Sequence, residues 1–432
     1  MYATPVETYG RYEAVTLKNI SEHPAYKKLP ASLRRELEVA AQVLPFRTNA
    51  YVLDELIDWG QVPDDPIFQL TFPQKGMLAA EDFSRIEAAM ARGDQSALAA
   101  EVWRVRRAMN PHPAGQLTHN VPELDGQKLP GLQHKYAETV LFFPAGGQTC
   151  HAFCTYCFRW AQFVGERELK FESSRASDLV RYLRAHPEVT DVLITGGDPL
   201  VIKSSLLARY IEPLLQVETL TSIRLGSKSL AYWPARYVSD PDAGELLRLF
   251  EKVVASGKQL AFMAHSSHPR ELSTPLVDEA VKNILSTGAI IRTQAPLIHR
   301  VNDSAEVWTQ KWRRELAMGM IPYYMFVERD TGPKQYFEVP LARAQQIFAE
   351  AYSQISGLAR TVRGPSMSAF PGKVRIIGSA EMGEEKVFVL EFLQARNPQW
   401  VGRPFFARYS ETATWLDELE PAFGANKFFY ES

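Results

Sequence analysis

All three cysteines of the chain fall within eight residues, in the segment CHAFCTYCFRW, as Cys150, Cys154 and Cys157. Thiolates bind metals, and three of them at CxxxCxxC spacing can wrap one compact centre. A structural zinc site takes four protein ligands, and His151 lies too close to Cys150 to be an obvious fourth. A [4Fe–4S] cube held by three cysteines leaves one iron open. S-adenosylmethionine can chelate that iron through its amino and carboxylate groups, and an electron from the cluster then breaks the sulfonium bond. The product, a 5′-deoxyadenosyl radical, takes hydrogen from unactivated carbon, which ordinary side chains cannot do. The competing readings are a three-cysteine structural zinc site and simple buried thiols.

The cysteine loop follows the first of six β-rich apolar runs, TVLFFPAG, VTDVLITGG, SIRLGSK, QLAFMAHSS, IIRTQAPLI and MIPYYMFV. Between them lie segments of helical period, among them SSLLARYIEPLLQV, AGELLRLFEKVVASG, LVDEAVKNILSTG and EVWTQKWRRELAMG, each with one apolar face and long enough for a right-handed crossover. The expected fold is α/β, a partial (β/α)6 barrel with a helical N-terminal extension (1–131), the barrel (132–364) and a C-terminal region (365–432). Such barrels collect their chemistry at the C-terminal ends of the strands. There the chain places Gly196-Gly197-Asp198, Gly226-Ser227-Lys228, His265 to His268 and Asn302-Asp303. Each taken alone also reads as turn chemistry.

Composition excludes some classes. The 432 residues are 46% hydrophobic, and 48 basic against 50 acidic residues give a net charge of −2 without a dense block. Nucleic acid is therefore not an expected partner. The N-terminus, MYATPVETYGRYEAVTLKN, has no apolar signal core, and no run reaches membrane-span length. A cytoplasmic protein without membrane contact is expected. Three cysteines make a poor disulfide framework.

The CxxxCxxC motif, with Tyr156 before its last cysteine, resembles that of the radical S-adenosylmethionine superfamily. Within it the chain is similar to the lysine 2,3-aminomutase family through CFR, LITGGDPL, RLGSKS, HSSHPRE, RVND, IPYY and the upstream DWGQVPDDPIFQLTFP, over roughly residues 45–380. The resemblance implies that Gly196, Gly197 and Asp198 contact the methionine amino end of S-adenosylmethionine. Ser227, His265 and Gln294 become candidates for its ribose, its sulfonium or nearby cofactor surface, against the alternative of barrel-mouth hydrogen bonding. Arg159 matches an arginine that holds the substrate carboxylate, a task suited to a planar guanidinium. Asp303 matches an acid that receives the distal amino group of lysine, or else caps the helix starting near Ser304. Lys373, in SAFPGKV, is the candidate for the Schiff base with pyridoxal phosphate; the alternative is an exposed lysine after a turn.

Three departures from the family pattern stand out. Lys135 and Thr139 occupy positions where the family has arginines for the pyridoxal phosphate group. Ser368 stands about where lysine-specific members have a second aspartate. Zinc-binding cysteines near the C-terminus are absent, and the tail beyond Gly378 matches nothing familiar. The resemblance implies an amino-acid 2,3-aminomutase acting on a small-molecule substrate. It also implies a low-potential electron donor such as flavodoxin or ferredoxin, and a homo-oligomer is expected. A radical isomerase or oxidase without amino migration and a non-catalytic metal-binding module are the alternatives.

Overall fold

The structure is a computed structural model and describes residues 12–111, 119–165 and 170–431. The apolar runs form strands for a common reason: a parallel strand covered on both sides has to be apolar along its length. Strands β1 (Leu132–Tyr136), β2 (Thr139–Phe142), β3 (Asp191–Ile194), β4 (Ser222–Ser227), β5 (Gln259–His265), β6 (Ile290–Leu297) and β7 (Ile321–Val327) lie side by side in chain order. The same sheet continues through β8 (Arg363–Ser368), β9 (Gly372–Met382), β10 (Glu385–Ala395) and β11 (Pro404–Arg408).

Strands β2 to β8 are mutually parallel, and β1 and β9 to β11 pair antiparallel to their neighbours. The six apolar runs are β2 to β7. A seventh parallel strand, β8, escapes sequence reading because RGPSMS carries glycine, proline and serine rather than an apolar run. Residue 365 lies inside that strand, so the C-terminal residues continue the sheet.

The crossover helices are α4 (Ala176–Ala185), α5 (Ser204–Ile211), α6 (Ala243–Ala255), α7 (Pro275–Ser286), α8 (Ala305–Ala317) and α9 (Leu341–Ser353). Ahead of them stand α1 (Ala31–Val43), α2 (Ala80–Arg92) and α3 (Gln95–Ala108). These share one buried core with the sheet, in which Leu37, Phe68 and Phe72 join Phe142, Trp160 and Leu179. The C-terminal strands form their own core from Val374, Phe388, Phe392, Phe405 and Trp415.

The sheet is open but strongly curved. Lys135 on β1 donates to the carbonyl of Ala369, just past β8 and seven positions away in the sheet. In a flat sheet these strands would be more than about 30 Å apart. Mixed α/β architecture with a concave inner face is therefore the frame of the site. Among the described residues no helix is long and apolar enough to cross a membrane.

Candidate functional site

The cysteine loop leaves β2 and is gripped from two sides. From β3, Gly197 N–H donates to the Gly147 carbonyl (2.9 Å) and Asp198 N–H to that of Thr149 (2.8 Å). A Cβ on Gly197 would stand 2.2 Å from the Thr149 oxygen, and one on Gly196 2.4 Å from Gln148 Nε2. The two glycines thus admit the segment leading into Cys150 at close range. From the N-terminal region, Arg47 donates to Thr149 Oγ1 (2.8 Å) and the Cys150 carbonyl (3.0 Å), and Tyr12 to the His151 carbonyl (2.8 Å). Thr155 Oγ1 binds the Gln69 carbonyl (2.7 Å).

Cys150, Cys154 and Cys157 are free thiols, each partly exposed. Burial pushes Cys154 up to about 12 and Cys157 up to about 11; burial, Asp198 and the other two thiols hold Cys150 well above its ordinary value. Thiols in this setting ionise against positive charge, which an iron–sulfur core provides. Among the described residues no three His, Cys, Asp or Glu side chains close around one ion.

Asp198 and Ser227 lie together at the ends of β3 and β4. The Asp198 side chain is buried and accepts from His151 Nε2 (3.1 Å), Ser227 Oγ (2.8 and 2.9 Å), Lys228 N (2.9 Å) and Leu200 N (2.9 Å). Ser227 Oγ also meets Ser229 Oγ at 2.6 Å. Both side chains join the ends of β3 and β4 to the cysteine loop.

His265 lies 3.0 Å from the hydroxyl of Tyr156, which also meets Ser267 Oγ at 3.1 Å. Burial, then Lys228 and Lys311, holds the imidazole well below its ordinary range, so it is neutral. Gln294 is the register partner of His265 on β6 and is half-buried. Behind this row, Lys228 and Glu271 form a buried ion pair at 2.7 Å. Sequence reasoning singled out neither Glu271 nor Tyr156 as part of such a network; GSK and HPRE at successive strand ends were the available signal.

On the inner face of the sheet Lys373 has no hydrogen bond or ion pair among the described residues. Its ammonium sits 4.1 Å from the centre of the Tyr324 ring and 5.4 Å from that of Phe326. Burial, then Arg224 and Arg363, pulls it down to about 7. Its side chain is half-buried. Arg159 stacks 4.2 Å from the Phe143 ring centre, forms no ion pair among the described residues and is lowered to about 10 by burial.

Asp303, Thr139 and Ser368 lie elsewhere around the sheet. Asp303 pairs with His299 (2.6 Å) at a half-exposed corner after β6, and it is Ser304 that caps α8. Thr139 gives its hydroxyl to Asp191 (3.0 Å), which binds Arg224 Nε (2.9 Å). Ser368 lies opposite Lys373 in the β8–β9 register.

No family model matches the chain. A protein of Aquifex aeolicus that carries the provisional name L-lysine 2,3-aminomutase is 30% identical over 403 residues, 93% of this chain and 95% of that relative. The chain belongs to the lysine 2,3-aminomutase family. Its members are radical S-adenosylmethionine enzymes, so a [4Fe–4S] cluster and S-adenosylmethionine are the family's cofactors. The L-lysine 2,3-aminomutase of Clostridium subterminale is 25% identical over 244 residues, and the match spans about half of each protein, 56% of this chain and 56% of that relative. A radical SAM methyltransferase from Sphaerobacter thermophilus superposes with a TM-score of 0.38 at 15% identity, over 56% of this chain and 70% of the other.

Proposed function

We propose that the chain is an amino-acid 2,3-aminomutase whose curved sheet acts as a partial barrel, with the cluster on Cys150, Cys154 and Cys157 and pyridoxal phosphate on Lys373. The observation that carries the pyridoxal part is Lys373 itself. An amine lowered to about 7, without an ion-pair partner and resting on the Tyr324 ring, is largely neutral near physiological pH and so nucleophilic. Bound pyridoxal phosphate supplies a conjugated ring that can spread an unpaired electron from the adjoining carbon skeleton.

The chain's own residues would do the rest. Arg159, unpaired and held flat against Phe143, is free to take the substrate carboxylate through two parallel hydrogen bonds. Neutral His265 and Gln294, neighbours on β5 and β6, would face S-adenosylmethionine, while Asp198 and Ser227 keep the loop and the strand ends in register. Tyr324 and Phe326 would keep water from the reacting carbon.

The substrate is proposed to be an amino acid without a distal ammonium. Asp303 is already paired with His299, and Ser368 brings no charge, so the carboxylate pair that would receive one is incomplete.

Anaerobic reconstitution tests the cluster: electron paramagnetic resonance should show a [4Fe–4S] signal that changes when S-adenosylmethionine is added, and a metal-free or zinc-only protein would sink it. Incubation with dithionite, S-adenosylmethionine and a panel of amino acids should yield β-amino acids with deuterium returned from 5′-deoxyadenosine. Stoichiometric, irreversible 5′-deoxyadenosine release would instead favour an oxidase.

A further inference from the structure

A charge pair that the proposed chemistry does not use lies buried beside the cysteine loop. Lys228 at the end of β4 and Glu271 after β5 pair at 2.7 Å, with 7% and 0% of their side chains exposed. Lys228 Nζ also reaches Ser267 Oγ (3.4 Å) and rests 4.4 Å from the centre of the Tyr232 ring. The other Glu271 oxygen accepts from the backbone N–H groups of Ser267 and His268. Ser267 Oγ in turn meets the hydroxyl of Tyr156, which stands between Cys154 and Cys157 in the chain. The backbone N–H of Lys228 donates to Asp198 Oδ2, which also meets His151 of the loop. Two routes therefore tie the pair to the cysteine loop.

Burying two opposite charges costs desolvation that their attraction only partly returns, a cost that an apolar pair would not carry. The two charges cancel at a distance, but a group close to one end feels the nearer charge. Cys154 is such a group. After burial, Lys228 is the largest influence on it and lowers it, whereas Glu271 acts less and raises it. The Tyr156 hydroxyl lowers it too, through a hydrogen bond. A cluster held by three thiolates is negative overall, and more so once reduced. Nearby positive charge and hydrogen bonds to its sulfurs therefore favour the reduced form.

We propose that the Lys228–Glu271 pair sets the reduction potential of the cluster held by Cys150, Cys154 and Cys157, with Lys228 raising it and Glu271 checking the rise. This rests on the cluster reading above. The step concerned is the transfer of one electron from a low-potential donor protein to the cluster, and the buried ammonium offsets the charge that arrives. Both side chains are closed off from solvent, so salt screens them little and the effect persists at physiological ionic strength.

The test is a potentiometric titration of the anaerobically reconstituted full-length chain, read by electron paramagnetic resonance without S-adenosylmethionine. It compares wild type with Lys228→Met, Lys228→Arg, Glu271→Gln and the double variant Lys228→Met with Glu271→Gln, each checked for iron content and by its melting curve. Lys228→Met should lose about tenfold in electron affinity, a midpoint lower by about 59 mV for one electron. Glu271→Gln should raise the midpoint, Lys228→Arg should stay near wild type, and the double variant should fall between the two single ones. A merely structural pair would move both single variants the same way. Midpoints that shift together, or that do not shift, overturn the assignment while leaving the cluster in place. If Lys228→Met does not hold a cluster, the direction of the Glu271→Gln shift decides alone: a rise supports the assignment, and a fall or no change overturns it. A wild type without a reducible cluster overturns the cluster reading and the role of the pair with it.

Discussion

Ser368 and Lys373 face each other across the β8–β9 hairpin as direct register partners. Side chains of paired residues project to the same side, with Cβ atoms about 5 Å apart. The lysine that would bear the cofactor thus looks across at a hydroxyl. A carboxylate there would stabilise its ammonium form. Ser368→Asp should therefore raise the midpoint of Lys373 ionisation by about one pH unit or more. Covalent attachment of pyridoxal phosphate at pH 7, trapped with borohydride and counted by mass spectrometry, should fall accordingly; an unchanged pH profile would refute the pairing.

In the wild-type chain the same attachment should rise through a midpoint near pH 7, far below that of an ordinary lysine. The cause is burial, reinforced by Arg224 and Arg363. Linkage sets the sign for stability: the folded state binds fewer protons than the unfolded chain between about pH 7 and the ordinary lysine range, so this site's penalty shrinks as pH rises. Lys373→Met should accordingly raise the melting temperature most below pH 7, with the gain vanishing in alkali.

Asp198→Ala should cost about 3–5 kcal/mol, because it strands the buried donors of His151, Ser227, Lys228 and Leu200. Since His151 belongs to the cysteine loop, iron content after reconstitution should drop with it. Loss of stability without loss of iron would separate the two roles.

Gly197→Ala should displace the loop backbone at Thr149, where the added methyl would stand 2.2 Å from the carbonyl oxygen. A Cβ added to Gly378 on β9 meets nothing. Gly378→Ala is thus the control, and iron incorporation should fail in the first variant and persist in the second.

Lys228→Met would leave the Glu271 carboxylate buried and uncompensated, at a cost of about 3–5 kcal/mol in chemical denaturation. The double variant with Glu271→Gln should recover part of that loss. No recovery would mean that the ion pair is not what Lys228 contributes.

Much of this protein is legible without coordinates. The spacing of Cys150, Cys154 and Cys157 is a local property, because ligands to one cluster on one short loop are close in sequence. The apolar runs of β2 to β7 are legible because buried parallel strands are apolar along their whole length. Strand β8 was not legible, since its burial comes from its neighbours on either side and RGPSMS has no pattern of its own.

The tertiary structure decided what the motif residues do. Gly197 was recognisable as a glycine that something must approach, but that the visitor is Thr149 depends on how a loop folds back over β3. Asp198 could be placed at a strand end, while its commitment to His151 and Ser227 joins three elements. The meeting of Lys135 and Arg396 at the Ala369–Phe370 turn spans 261 positions in sequence, from 135 to 396, and exists only because the sheet curls. Short-range spacing and periodicity follow from bond geometry and burial, which a sequence carries. Which charges end up near one another depends on curvature and long-range packing, and those also decide how far Lys373 departs from an ordinary lysine.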